Sequence, residues 1–148
     1  MIAKLKGLLF GGDTSVSVLS DVVLTVFRIF IGLAMAFAHG LGKVPPSEGF
    51  IGKVSSMGFP MPTIFAWGAG LSELVGGVLL AIGLCSRISA FFLAVTLGVA
   101  AFMAHADDIF GDGSFGGAEK ALLFFFGYLI LVVMGSGRIG VDAFLRKK

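Results

Sequence analysis

The chain has 148 residues, of which 57% are hydrophobic, and its mean hydropathy is +1.02. That length fits one domain, and the hydropathy excludes an ordinary soluble globular protein. A net charge of only +2 argues against nucleic-acid binding, and the single cysteine, Cys85, excludes an internal disulfide or a two-cysteine redox centre.

Residues 1–21 are predicted to form an N-terminal interfacial segment. Lys4 and Lys6 lie beside short apolar stretches, a pattern typical of a segment among lipid headgroups. A frayed polar tail is the alternative. Ser20 or Asp21 is predicted to cap the helix that follows.

The first apolar run covers residues 22–41. Residues spaced four, three and four apart predict a stripe along one face of its helix: Arg28, Gly32, Met35 and His39. Lys43 extends this stripe if the helix continues that far. The first helix is therefore expected to carry basic groups along one face.

A loop rich in helix-breaking residues, 42–61, separates the first run from the second. Within it, residues 50–57 have the apolar spacing of a short surface helix. The second run, residues 62–84, is long enough to cross a bilayer, and its only charge is Glu73. A carboxyl group at that depth is expected to face a partner or a cavity rather than lipid.

Two further apolar runs cover residues 88–106 and 118–134, and both are long enough to span as helices. The short turn at residues 85–87 predicts that the second and third helices are antiparallel neighbours. The runs predict an all-α integral membrane protein, an antiparallel four-helix bundle at residues 22–135. Residues 136–148 form a basic tail.

Basic residues are distributed unequally between the two predicted sides of the membrane. Seven lie on the side of the termini: Lys4, Lys6, Arg87, Arg138, Arg146, Lys147 and Lys148. Three lie on the other side: Lys43, Lys53 and Lys120. Because positive residues concentrate in cytoplasmic segments, both termini are predicted to be cytoplasmic, in a multi-pass protein of the inner membrane.

Arg28 and Glu73 are predicted to share one buried polar site. At 1.5 Å per residue their depths differ by about 7 Å, which an arginine side chain can bridge. One interpretation is a buried ion pair that only fixes helix register. The other is a polar site in a membrane cavity, such as a quinone or headgroup pocket. In that case, nearby glycines leave room for the ligand: Gly32, Gly70, Gly76 and Gly77.

His39, His105 and Glu119 are predicted to lie near the outer surface of the membrane. They belong to three different helices without diagnostic spacing, so interfacial hydrogen bonding is favoured over a metal site. A proton-handling role is the alternative, because histidine titrates near neutral pH. Residues 108–119 partly match a calcium loop, but Phe110 replaces an oxygen ligand, so calcium is not expected.

The order and spacing of the polar residues resemble the DoxX family of small four-helix membrane proteins, over about residues 19–145. The matching pattern reads Arg28-x3-Gly32, His39-Gly40-x2-Lys43, Gly58-x-Pro60, Glu73-x2-Gly76-Gly77, Gly83-x3-Arg87, His105, Glu119 and Gly135-x-Gly137-Arg138-x3-Asp142. Ala118 and Gly140 depart from it, where the family often has an aromatic residue and a serine. Some members are related to subunits of thiosulfate:quinone oxidoreductase, so the resemblance implies a fold and a quinone-linked redox role.

The resemblance thus implies a membrane subunit of a quinone-linked oxidoreductase system, with quinone as the expected cofactor and no metal, heme or iron–sulfur cluster. The residues expected to bind the ligand are Arg28, Glu73, His39, Lys43, His105 and Glu119, and no catalytic residue is assigned. The expected partners are membrane lipids, a redox partner protein and further copies of the chain. A non-catalytic scaffold or assembly factor, and a small lipid binder or transporter, stay open as alternatives. Cys85 is predicted to be dispensable.

Overall fold

The computed structural model describes residues 17–106 and 117–146, which are entirely helical or irregular. Most of the predicted interfacial segment and of the calcium-like loop therefore lie outside the described residues. The helices are α1 (Val18–Lys43), α2 (Glu48–Ser56), α3 (Pro62–Ile82), α4 (Ser86–Ala104), α5 (Gly117–Met134) and α6 (Val141–Arg146). Within that part of the chain, α1, α3, α4 and α5 are long and apolar enough to cross a membrane.

The first helix begins and ends outside its predicted limits. Ser17 is the N-cap, and its hydroxyl accepts from the Ser20 backbone N–H at 3.2 Å. The predicted caps were therefore wrong, because Ser20 and Asp21 already lie inside the helix. At its other end α1 continues through a 3-10 turn to Lys43, so the basic stripe does extend to that residue.

The three longest described helices each contain a π-helical segment. These segments are Ala34–Gly40 in α1, Ser72–Gly76 in α3 and Ala100–Ala104 in α4. A π turn bonds residue i to i+5, and such turns are frequent at functional sites. In α1 the change of spacing keeps Met35 and Gly40 buried but leaves His39 exposed.

Helices α1 and α3 approach closely along a seam of small residues. A Cβ atom added at Gly77 would lie 2.7 Å from the Gly32 carbonyl oxygen and 2.9 Å from the Ala36 nitrogen. A Cβ atom at Gly32 would lie 2.6 Å from the Gly77 oxygen. The expectation that these two glycines leave room for a ligand is therefore wrong, because backbone of the neighbouring helix occupies that space.

The core of the bundle lies where α1, α3, α4 and α5 face one another, with α4 packed along α5. Its largest fully buried apolar side chains are Met35, Leu80, Leu93, Leu131 and Tyr128. In each of the four long helices, at most 33% of the most apolar 18-residue stretch is buried inside the protein. Because these stretches are apolar, the surface that they turn outward is apolar too, as a helix surrounded by lipid requires.

The tail after α5 folds back onto the turn between α3 and α4. The Asp142 carboxylate accepts from the backbone N–H groups of Cys85 and Ser86 at 2.7 and 2.8 Å and so caps the start of α4. Gly83 ends α3 with φ of 77°, and a Cβ there would lie 2.8 Å from Arg28 Nη1. Glycine is thus required at this turn for both its backbone angle and its size.

Asp21 links the start of α1 to the same region. Its carboxylate lies 3.0 Å from Arg138 Nε and accepts from the Arg138 backbone N–H at 3.3 Å. We refer to the four charged residues Asp21, Arg28, Arg138 and Asp142 as the tail cluster. Of these, Asp21, Arg28 and Asp142 are at most 2% exposed.

Candidate functional site

Arg28 is held by backbone carbonyl groups rather than by Glu73. Its Nη1 donates to the carbonyl oxygens of Leu80 and Ala81 at 2.5 and 2.7 Å, and its Nη2 donates to that of Ile139 at 2.9 Å. The first two carbonyls belong to the last turn of α3, where few intrahelical donors remain. That of Leu80 also accepts from the Gly83 backbone N–H at 3.1 Å. The predicted Arg28–Glu73 pair is therefore wrong.

The error has a physical origin in the ends of the helices. A buried arginine can be satisfied by the free carbonyls at a helix C-terminus, where the helix dipole also favours a cation. Leu80 lies seven residues beyond Glu73, which is about 10 Å along the helix axis. Once Arg28 is bound to that last turn, it is too far from Glu73 to neutralise it.

Lys43 is the partner of Glu73. Its Nζ lies 2.6 Å from Glu73 Oε1 and 2.7 Å from Oε2, so one ammonium group bridges both carboxylate oxygens. The Glu73 side chain is 2% exposed, whereas that of Lys43 is 32% exposed. Lys43 Nζ also lies 5.4 Å from the centre of the Phe50 ring on α2, a distance typical of a cation–π contact.

A cavity of about 170 Å³ lies next to this ion pair. We call it the polar pocket, and its lining consists of Met35, His39, Lys43, Glu73, Leu97, Ala100, His105, Gly117, Lys120, Ala121 and Phe124. Four of the predicted ligand-binding residues thus line one cavity: His39, Lys43, Glu73 and His105. The other two, Arg28 and Glu119, are not in its lining, and their role in ligand binding stays a prediction.

The two histidines are held at the pocket by different contacts. His39 meets the Phe124 ring edge-on, with the ring centres 5.7 Å apart. His105 lies against the start of α5, where a Cβ atom at Gly117 would be 2.6 Å from its Nδ1. Gly117 therefore provides the space that the His105 ring occupies.

The polar pocket is also where the π-helical segments converge. Met35 and His39 come from the segment in α1, Glu73 from the segment in α3, and Ala100 from the segment in α4. Wider turns change which side chains face inward, so all three departures from regular α-helix affect this one cavity.

Sequence reasoning missed two of the polar and aromatic lining residues, Lys120 and Phe124. Lys120 is the only basic residue in the fourth apolar run, and a lone charge in such a run could have indicated a polar site. Phe124 is one of 16 phenylalanines and carries no comparable signal. Among residues 17–106 and 117–146, no group of three or more His, Cys, Asp or Glu residues is arranged to hold a metal ion.

Comparisons with known proteins identify the family of the chain. An uncharacterized protein of Haemophilus influenzae is 32% identical over 133 residues, covering 82% of this chain and 92% of its own. The Bacillus subtilis protein named "Putative oxidoreductase CatD" is 32% identical over 122 residues, covering 82% of this chain and 86% of its own. "Inner membrane protein YqjF" of Escherichia coli is 30% identical over 133 residues, covering 88% and 97%.

No solved structure is significantly similar to the chain. The profile of one protein family matches residues 23–106, which cover α1 from residue 23 onward and all of α2, α3 and α4. The matched residues include the four pocket residues that were predicted from sequence. The match and the relatives confirm the resemblance seen in the spacing of the polar residues: the chain belongs to the DoxX family.

Proposed function

We propose that this protein is a membrane component of a quinone-linked oxidoreductase system, and that the polar pocket binds the quinone headgroup. The observation that carries the proposal is the Lys43–Glu73 pair, a buried carboxylate held by one half-buried lysine beside a cavity. Ionisable groups inside a membrane bundle are rare and usually mark a functional site.

The donor set around the pocket fits a quinone. Quinone oxygens accept hydrogen bonds, and the Lys43 ammonium and the imidazole N–H groups of His39 and His105 can donate them. Phe124 and Leu97 supply apolar surface for a ring. The volume of about 170 Å³ is below the range of about 300–1,000 Å³ that encloses drug-sized ligands, so it suits a headgroup with the tail outside.

Redox chemistry at such a site is that of the quinone, which exchanges electrons and protons when bound. This chain would bind and orient the headgroup, and Glu73 and the histidines would exchange protons with its oxygens. The name of the related protein CatD supports an oxidoreductase role, and the DoxX resemblance supports a quinone. Because Cys85 is the only cysteine, electrons would pass to or from a partner protein.

The same proposal includes a topology. We propose that α1, α3, α4 and α5 cross the inner membrane as an antiparallel bundle with both termini in the cytoplasm. The excess of basic residues on the terminal side supports this orientation, and E. coli relatives are named inner membrane proteins. A reporter enzyme fused after Lys148 should be active only in the cytoplasm, and activity outside the cytoplasm would overturn the orientation.

The binding proposal is tested with purified protein in lipid nanodiscs and a short-chain ubiquinone. Wild type should bind it saturably, and Glu73→Gln should weaken binding about tenfold or more, because Lys43 loses the carboxylate that positions its ammonium group at the pocket. His105→Ala is a second variant, in case the first fails to fold. Lys53→Gln, an exposed lysine on α2 outside the pocket, is the matched control and should bind like wild type.

A non-catalytic scaffold is the second candidate, and the closed seam at Gly32 and Gly77 favours it. Tight helix contacts of this kind stabilise a bundle without any ligand. If wild type binds no quinone saturably in the experiment above, the scaffold replaces the quinone site. The seam would then be the feature on which function depends.

A further inference from the structure

The charges lining the polar pocket do not cancel. Lys43 and Glu73 neutralise one another, since one ammonium group bridges both carboxylate oxygens at 2.6 and 2.7 Å. Lys120 is then an additional cation in the lining. Its chain neighbour Glu119 is half-buried and outside the lining, and no ion pair among the described residues joins the two. The described lining therefore has one more positive than negative group, even with both histidines neutral.

The excess charge lies on one side of the pocket. Lys120 and Gly117 both come from the first turn of α5, and the His105 ring lies against Gly117. The first turn of a helix adds a partial positive charge, which reinforces that of the lysine. Met35, Leu97 and Phe124 also line the cavity and are apolar.

We propose that the pocket selects a headgroup that carries an anionic oxygen, such as an ionised hydroxyquinone or a phosphate, over a neutral headgroup of the same shape. This inference rests on the proposed function and names the ligand class more closely. Lys120 and His105 would face the anionic oxygen, while the apolar lining holds the ring or chain. Opposite charges a few ångströms apart near a protein surface interact strongly enough to change affinity about tenfold or more.

Two probes of nearly the same shape test the inference. 2-Hydroxy-1,4-naphthoquinone is ionised at pH 7.5, whereas 1,4-naphthoquinone is neutral. Binding of each to the protein in nanodiscs of phosphatidylcholine should be measured by tryptophan fluorescence and by calorimetry. The anionic probe should bind about tenfold more tightly, and this preference should fall as salt is raised from 0.05 to 0.5 M, because exposed charges are screened.

Variants identify the group that selects the anion. Lys120→Gln should lower the affinity for the anionic probe much more than that for 1,4-naphthoquinone, and so remove most of the preference. Lys120 is exposed, so this change should not impair folding. Lys53→Gln, which removes an exposed lysine outside the pocket, should keep the full preference. Equal binding of both probes to wild type, or a preference that survives Lys120→Gln, would overturn the inference.

The outcomes also separate this inference from the proposed function. If neither probe nor the short-chain ubiquinone binds, the quinone site itself is wrong. If the probes bind equally, the quinone site stands and the anion selectivity is wrong. If the anionic probe is preferred, competition with dihexanoyl phosphatidic acid and dihexanoyl phosphatidylcholine identifies the source of the anion. Stronger displacement by the phosphatidic acid supports a lipid headgroup, and no displacement by either supports an anionic quinone.

Discussion

Two of the buried charges, Arg28 in the tail cluster and Glu73 at the polar pocket, are satisfied in opposite ways. Arg28 is bound by three backbone carbonyls from α3 and the tail, which are fixed by the fold itself. Glu73 is bound by one lysine side chain that is 32% exposed and beside a cavity. Both charges have similar exposure, 2%, so burial alone does not distinguish them.

The difference lies in how easily each partner can move. Backbone carbonyls at a helix end move only if the helix moves, so the Arg28 contacts join α1, α3 and the tail permanently. A lysine side chain has several rotatable bonds and can leave its partner when a ligand competes. We infer that the tail cluster is structural and that the Lys43–Glu73 pair is adaptable.

The largest expected effect is the loss of Arg28. Arg28→Gln removes charged hydrogen bonds to buried carbonyls and should destabilise the protein by about 3–5 kcal/mol. Unfolding in SDS, followed by circular dichroism, measures this change. A variant as stable as wild type would contradict the structural role of the tail cluster.

The glycine seam between α1 and α3 provides a matched pair of substitutions. Gly77→Ala places a Cβ 2.7 Å from the Gly32 oxygen and should destabilise by about 1–3 kcal/mol through overpacking. Gly76→Ala places its Cβ 3.5 Å from Leu93 Cγ, an ordinary contact, and should be neutral or slightly stabilising. Thermal unfolding of both variants measures the contrast, and equal melting temperatures would show that the seam is not tightly closed.

The Lys43–Glu73 pair should contribute less to stability than Arg28, because the lysine side chain is 32% exposed. In a double-mutant cycle of Lys43→Met and Glu73→Gln, we expect a coupling of about 1–2 kcal/mol in SDS unfolding. Lys53→Met combined with Glu73→Gln is the control and should couple by less than about 0.5 kcal/mol. A coupling as small as the control would mean that Lys43 does not neutralise Glu73 in the membrane.

The smallest expected effect concerns Cys85, in the turn after α3. Burial, and secondly the neighbouring Asp142 carboxylate, raise the pKa of its thiol and so reduce the thiolate that reacts with alkylating agents. Asp142→Asn removes one of these causes, so the pKa should fall and alkylation by iodoacetamide at pH 8 should become faster. The weakened cap of α4 should lower stability by about 1 kcal/mol.

Asp21→Asn is the control for this labelling experiment, since Asp21 belongs to the tail cluster but is not among the causes that raise the pKa of Cys85. It should leave the alkylation rate near that of wild type. An equal increase in both variants would indicate that labelling reports loosening of the tail rather than the charge of Asp142.

Sequence reasoning predicted the four spanning helices because long apolar runs have few alternatives in a bilayer. It also assigned Lys43, Glu73, His39 and His105 to ligand binding, and these residues line one cavity. It failed for Arg28 because the backbone carbonyls that bind its guanidinium carry no sequence signal. The π-helical segments were missed for a similar reason, since regular α-helical spacing was assumed throughout.

Because of the three π-helical segments, the positions of the side chains in the polar pocket depend on the number of residues in each helix. A π turn accommodates one more residue than an α turn at the same place, as a single-residue insertion would. Deleting Ala38 should let α1 return to regular α-helix while Lys43 keeps its direction toward Glu73, because the π turn has already absorbed the extra residue. The deletion would instead change the positions of the side chains inside the segment, among them His39. The same deletion from a regular α-helix would rotate every later residue by about 100°.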